Sequence, residues 1–237
     1  MKKFLIAAVL LAAATAAQAQ VTGNVSVTTD YRFRGISQTQ KGSALQGGFD
    51  YADKSGVYAG NWNSNVSSAS YTDSVGLEHD LYAGFKKQIA KGLELDVGTY
   101  NYIYNRQDGN FNSRSNTHEL YVGLTRDSVS VKASQSIGDY FGLANSSGTR
   151  YLEANLNHPL SKTLALNAHV GRTMHANHSN LNYTDYRVGA TVQVAGLGVG
   201  VHYVGNTQFG SGAKAANTLN GMQLYKEAML VSVSKSF

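Results

Sequence analysis

From Val25 onward the chain alternates. Val25, Val27, Thr29, Tyr31 and Phe33 fall on one side of an extended backbone; Ser26, Thr28, Asp30, Arg32 and Arg34 fall on the other. Successive side chains of a strand point to opposite faces, so this stretch predicts a strand with one apolar and one charged face. The pattern recurs. Leu120, Val122 and Leu124 oppose Glu119, Tyr121 and Gly123, and Tyr186, Val188, Ala190 and Val192 oppose Asp185, Arg187, Gly189 and Thr191. About twelve such segments follow one another, most near the ten residues that a tilted strand needs to cross a bilayer. They are Thr22–Arg34, Ala44–Ala52, Gly56–Asn63, Asp73–Lys86, Gly92–Tyr104, Asn116–Thr125, Ser128–Ile137, Thr149–Asn157, Thr163–Thr173, Asn182–Val194, Gly196–Gly205 and Leu224–Phe237. In the third, Tyr58, Gly60 and Trp62 share a face whose side the pattern leaves open.

The connections alternate in length. Asp53-Lys54-Ser55, Arg126-Asp127 and Ala195-Gly196 are tight, whereas Gly35–Ser43, Asn105–Ser115, Gly138–Gly148 and Asn206–Gln223 are long. Short turns on one side and long loops on the other are the habit of outer-membrane barrels. The fold class predicted is therefore all-β: a transmembrane, antiparallel, up-and-down barrel of about 12 strands. The chain ends in Phe237, with Val233 and Val231 at alternate positions before it, a terminal strand that reads as an outer-membrane assembly signal. Tyr31, Phe33, Tyr186 and Tyr203 are placed in an external aromatic girdle, and Phe49, Tyr51, Phe85 and Phe237 in a periplasmic one.

The start of the chain reads differently. Lys2 and Lys3 precede an apolar run, Phe4–Ala14, too short to cross a bilayer as a helix, and Ala17-Gln18-Ala19 is an A-x-A cleavage signal. These features predict a signal peptide over residues 1–19 and one barrel domain over 20–237, in the bacterial outer membrane. Removing the peptide would take 237 residues to 218 and the formal charge from +5 to +3. There is no cysteine, which excludes disulfides and thiolate metal sites. One proline against 25 glycines and 15 tyrosines suits a chain that is mostly paired strand. No dense Lys/Arg block points to nucleic acid.

The run Asp30-Tyr31-Arg32-Phe33-Arg34-Gly35-Ile36-Ser37-Gln38 resembles the opening motif of the TorF-type porin family, the Gcw_chp domain. Tyr58-Ala59-Gly60-Asn61-Trp62, Asp80-Leu81-Tyr82-Ala83-Gly84, Gly138-Asp139-Tyr140-Phe141-Gly142 and Tyr183-Thr184-Asp185-Tyr186 resemble its later pieces, in the same order. The resemblance implies an outer-membrane barrel of porin type. It implies no solute and no catalytic residue.

Nine of the 15 acidic residues fall on the inward parity. An outward Arg or Lys at the bilayer midplane costs about 2–4 kcal/mol, so charge sets the register. The channel lining predicted is Asp30, Arg32, Arg34, Asp50, Glu78, Asp80, Glu94, Asp96, Glu119, Tyr121, Glu153, Asp185 and Arg187, with Lys132 beside them. Such a lumen would pass small hydrophilic solutes or ions and favour cations. A bore of this size can also be filled by side chains, which leaves a closed structural or adhesive barrel as the alternative. Asp80-x-Tyr82-x-Gly84, Glu119-x-Tyr121-x-Gly123 and Asp185-x-Arg187-x-Gly189 each line up an acid, a large donor and a glycine that makes room for a neighbour. Tyr100, Tyr102 and Tyr104 have inward parity and could line a sugar-guiding track, but they are read as girdle residues after a local bulge.

Neither H-E-x-x-H nor G-x-S-x-G occurs, and no enzyme is expected. Inward His169 and His202, close to acids, leave a water-activating His–Asp pair as the hydrolase alternative. His175 and His178 are read as solvated loop residues, so no metal site and no cofactor is expected. The partners expected are outer-membrane lipids, the barrel-assembly machinery, small solutes and lipopolysaccharide. Lys41, Arg106, Arg114, Arg150, Arg172 and Lys214 stand at the level of lipopolysaccharide phosphates. The oligomeric state and any plug, such as the Asn206–Gln223 loop folding inward, are left open.

Overall fold

The computed structural model describes residues 20–71, 74–106, 108–111, 113–207 and 210–237. The predicted signal peptide, 1–19, and Asp73, the predicted start of the fourth segment, lie outside the described residues. The chain runs through β1 (Gln20–Thr28), the short pair β2 (Arg32–Phe33) and β3 (Ile36–Ser37), then β4 (Ala44–Ala52), β5 (Val57–Asn65), β6 (Ser74–Ala90) and β7 (Leu93–Arg106). It continues through β8 (Thr117–Arg126), β9 (Val129–Ser136), β10 (Arg150–Pro159), β11 (Leu164–Met174), β12 (Tyr183–Val194) and β13 (Leu197–Thr207). A short helix, α1 (Ser211–Ala216), and the small pair β14 (Thr218–Leu219) and β15 (Met222–Gln223) precede β16 (Ala228–Ser236).

The twelve long strands form one closed antiparallel barrel in chain order, with β16 paired to β1. Closure removes the unpaired edges that an open sheet would present. The seam registers Asn24 with Ser236 through to Thr28 with Ser232. Gly23 and Phe237 then exchange both backbone bonds, at 2.8 and 3.0 Å. The side-chain face follows the pleat. Val25, Val27, Leu45, Leu81, Leu120, Val131, Leu152, Val188 and Val201 point outward and are exposed, forming an apolar belt. Phe49, Tyr51, Phe85 and Phe237 share that outward face. The Ala195-Gly196 turn has positive φ at both residues, 51° and 75°, the two-residue geometry whose twist matches antiparallel strands. Lys235, a charged residue at an outward position of β16 opposite Val25, reaches the Gly196 carbonyl at this turn, 3.1 Å away.

The outer face of β5–β8 departs from a purely apolar pattern. Asn61, Asn63, His79, Asn101 and His118 alternate there with Val57, Leu81, Val97 and Leu120. Several bonds tie them together: His79 Nδ1 bonds Asn63 at 2.7 Å, His118 bonds Asn101, and Asn63 and Asn101 donate to the backbone carbonyls of Gly47 and Leu81, while His79 Nε2 has no partner among the described residues.

Three expectations are corrected. The first wall strand ends at Thr28, not Arg34. Thr29 still bonds Val231 of β16, and beyond it the chain leaves the wall and enters the lumen as the β2–β3 hairpin, because a period of two describes the arm of a hairpin as well as a wall strand. Tyr31 and Phe33 are therefore not girdle residues. Tyr31 packs edge-on against Trp62 at 5.3 Å, and Phe33 against Tyr102 at 5.3 Å and Phe141 at 5.4 Å. Tyr100, Tyr102 and Tyr104 keep their inward parity with no bulge among them, so they too line the interior. Trp62 also faces inward.

Candidate functional site

The hairpin β2–β3 turns at Arg34 and Gly35, both with positive φ, 46° and 79°. Glycine is required at the second position for space as well as conformation: a Cβ there would meet the side chains of Asn206 and Asp185. Arg34 reaches across the lumen. Its guanidinium donates to both carboxylate oxygens of Glu119 on β8, at 3.0 and 2.8 Å, and to the Tyr140 hydroxyl at 2.6 Å. It also lies over the ring of Tyr151, 4.0 Å from its centroid. Arg32 holds the base of the hairpin. It donates to Asp30 at 2.7 Å and to the carbonyls of Gly35, Leu224 and Lys226 at 3.2, 2.9 and 2.9 Å. Asp30 also accepts from Ser37 and Thr39, and Asn206 donates to the Gly35 carbonyl.

Below the hairpin lies a cavity of about 740 Å³. Asp30, Arg32, Arg34, Asp80, Glu119, Tyr121, Glu153, Asp185 and Arg187 line it, with Lys132, His169 and His202. Asp50, Glu78, Glu94 and Asp96 share the inward parity of β4, β6 and β7 but lie outside that cavity. Tyrosine hydroxyls hold four of the inward acids. Tyr82 donates to Asp50 at 2.5 Å, Tyr104 to Glu78 at 2.9 Å and Tyr58 to Asp96 at 2.6 Å, while Tyr100 donates to Asp80 at 3.0 Å. Tyr82 stacks on Tyr100 at 5.2 Å, and Tyr102 lies tilted against Tyr100 at 4.7 Å. Inward glycines seat these rings. A Cβ on Gly84 would strike the Tyr58 ring, and one on Gly98 the Tyr121 ring.

The opposite wall carries a compact polar network. Lys132 bonds Glu153 at 2.9 Å. His169 Nε2 meets Asp185 at 2.9 Å and the Tyr151 hydroxyl at 2.9 Å, while Nδ1 meets Asn155 at 2.6 Å. The His–Asp pair is thus present in space, yet its partners are a tyrosine, an amide and carboxylates. Among the described residues no serine or threonine hydroxyl bonds His169, and His202 bonds Asn167. The described residues also contain no group of three or more His, Asp or Glu side chains able to hold a metal ion.

The sequence reading missed the hairpin as the structure that narrows the lumen, and with it the Arg34–Glu119 and Arg32–Leu224 contacts. The available signal was the Phe33–Ile36 stretch: a glycine at the second turn position between two short alternating arms. The Asn206–Gln223 loop lies over the hairpin rather than replacing it: Arg32 and Ser37 both donate to the Leu224 carbonyl that follows this loop.

A family model described as "Bacterial protein of unknown function (Gcw_chp)" matches residues 12–237. The narrower TorF-type label rests on motif resemblance alone. No curated protein matches the sequence. Among solved structures, the NanC porin superposes with a TM-score of 0.56 at 8% identity, covering 91% of this chain and 98% of that one. The KdgM porin, determined in complex with disordered oligogalacturonate, gives 0.55 at 9% identity, covering 92% and 98%. At such identities the likeness is one of fold: a closed, porin-like outer-membrane barrel.

Proposed function

The chain belongs to the Gcw_chp family of bacterial proteins, and from that footing we propose that it is an outer-membrane channel for passive passage of small hydrophilic solutes or ions. The carrying observation is the contrast between the two faces of one barrel: an apolar belt outside and a charged, partly open cavity of about 740 Å³ inside. A belt of that kind is at home only in a bilayer. Residues 1–19 act as the export signal and are removed, and the loop-level basic groups meet lipopolysaccharide. Of the charged residues that line the cavity, five are acids (Asp30, Asp80, Glu119, Glu153 and Asp185) and four are bases (Arg32, Arg34, Lys132 and Arg187). That surplus gives the lumen an acidic field that favours cations. The work is filtering by size and sign, not catalysis.

Planar-bilayer conductance of the refolded barrel tests this, with reversal potential read under a salt gradient. Discrete steps with cation preference are expected, and Asp80→Lys with Asp185→Lys should reverse or abolish that preference in a folded barrel. A folded barrel that never conducts sinks the reading. The docked hairpin favours a second one, a closed barrel acting through its loops. That reading predicts no conductance even when the hairpin is released by Arg34→Ala.

A further inference from the structure

The apolar belt carries a polar face on β5–β8. The outward positions there include Asn61, Asn63, His79, Thr99, Asn101 and His118, whereas the middle of the belt on the opposite wall is apolar, as at Ala154, Val170, Val188 and Ala190. The polar groups stand at mid-depth rather than at an edge. Leu81, paired with both Asn61 and Asn101, lies four residues out along β6 from Phe85, and His79 lies six. At about 3.3 Å per residue and a tilt of about 40°, those steps place them roughly 10 and 15 Å above Phe85, within a band about 25 Å tall. Exposed Val75 and Leu77 carry the apolar surface on beyond them.

Bonds within the wall use only part of this polarity. Asn63 and Asn101 each commit an N–H to a backbone carbonyl, and His118 meets Asn101 and Thr99. An amide carries two N–H donors, so each asparagine has a second to offer. Asn61 accepts the Phe49 N–H at 2.9 Å, and its own N–H groups have no bond among the described residues. These groups are accessible from outside the barrel: Asn61, Asn63 and Asn101 are half-buried and His118 is exposed. Acyl chains accept no hydrogen bond, and a donor left unmet in hydrocarbon is costly. Another polypeptide wall can bring acceptors to that depth. The face itself selects which one. From Phe85 outward its outward positions hold no Asp, Glu, Lys or Arg, so no opposite charge is called for and two copies do not repel. Its amides carry donors and acceptors together, so the face is complementary to itself. Copies inserted by one route share one orientation. A two-fold axis along the bilayer normal therefore sets Asn61, Asn101 and His118 of both copies at equal depth, the self-matching contact of a closed dimer. A different protein would match that depth only by coincidence.

We propose that the β5–β8 face is the contact between two copies of this chain, packed wall to wall in the membrane. The inference goes beyond the channel reading: it needs the bilayer but no conduction. The chain has no cysteine, so a single introduced thiol reports proximity. Leu81→Cys places one at the centre of the face without removing a polar group, and Val188→Cys places one on β12, across the barrel from β6. Each variant is refolded into phosphatidylcholine vesicles at a dilute protein-to-lipid ratio and oxidised with copper phenanthroline. Leu81→Cys should give a disulfide-linked dimer, and Val188→Cys next to none. Adding Asn61→Leu and His118→Leu to Leu81→Cys should cut the dimer yield about tenfold, since polar groups hold such contacts together in a membrane. No dimer from Leu81→Cys, equal yields from the two thiols, or a yield unmoved by the leucine pair overturns the inference. Where the leucine pair fails the heat-modifiability check for a folded barrel, the mass of the parent barrel in detergent, by light scattering, decides. Two copies support the contact; one or three overturn it. A dimer that never conducts keeps this contact and removes the pore, and a monomer that conducts does the reverse.

Discussion

Arg34→Ala is the sharpest perturbation of the proposed channel. The Arg34 and Glu119 side chains are only 7% and 2% exposed, and two bonds join them. Removing the guanidinium leaves the carboxylate buried beside Tyr102 with no cation, and the Tyr140 hydroxyl loses a donor. Breaking a buried pair from one side costs roughly 3–5 kcal/mol. At about 1.4 kcal/mol per factor of ten, the docked state of the hairpin tip loses roughly two to three and a half powers of ten against the undocked state. Arg32 keeps its four contacts, so the tip is released while the base stays anchored. The assay is single-channel recording. Arg34→Ala should show larger or more frequent openings than the parent protein, with a lower unfolding midpoint. Adding Glu119→Gln removes the stranded charge and should recover part of the lost stability, a non-additivity expected of contacting residues. Unchanged conductance and unchanged stability in Arg34→Ala would refute the idea that this ion pair holds the constriction.

Deleting Phe237 removes both backbone bonds to Gly23 and the ring packed on that glycine and on Phe49; heat-modifiable barrel in outer-membrane fractions should fall sharply. Gly98→Ala would place a Cβ 2.6 Å from both the Tyr121 hydroxyl and the Ala83 carbonyl, and a cost of about 1–3 kcal/mol for overpacking should appear as a lower thermal midpoint. Burial pushes the His175 imidazole down to about 4, so the unfolded loop binds a proton that the folded loop refuses as pH falls from 6.5 toward 4. Stability of the external loops should therefore decline across that window. Limited proteolysis at pH 7 and pH 4.5 checks it, and His175→Phe should flatten the difference.

The walls were legible because alternation and charge agree along them. Ala44–Ala52 was read with the same bounds that the strand has, and most other segments differ by one or two residues at each end. Where alternation alone was available, it misled. The run from Asp30 to Arg34 continues the period of β1, yet its side chains face hairpin partners drawn from β8 and the last loop. Arg34 and Glu119 stand 85 residues apart, and no local pattern marks that pairing. Tyr100, Tyr102 and Tyr104 show a different failure: residue type suggested an interface while parity placed them with Glu94 and Asp96, and parity was right.

The hairpin also imposes an order of events. It is made with the first strand, yet two of its anchors, the Leu224 and Lys226 carbonyls, lie 192 and 194 residues along the chain from Arg32. Contacts of such separation form only after the intervening chain has been ordered. The earliest interior segment is thus the last to settle, and until the final strand is in place the nascent barrel is a wider vessel than the finished one. A docked hairpin then serves as a stamp of completion, and cleavage within residues 29–43 by an added protease would tell unfinished barrels from finished ones.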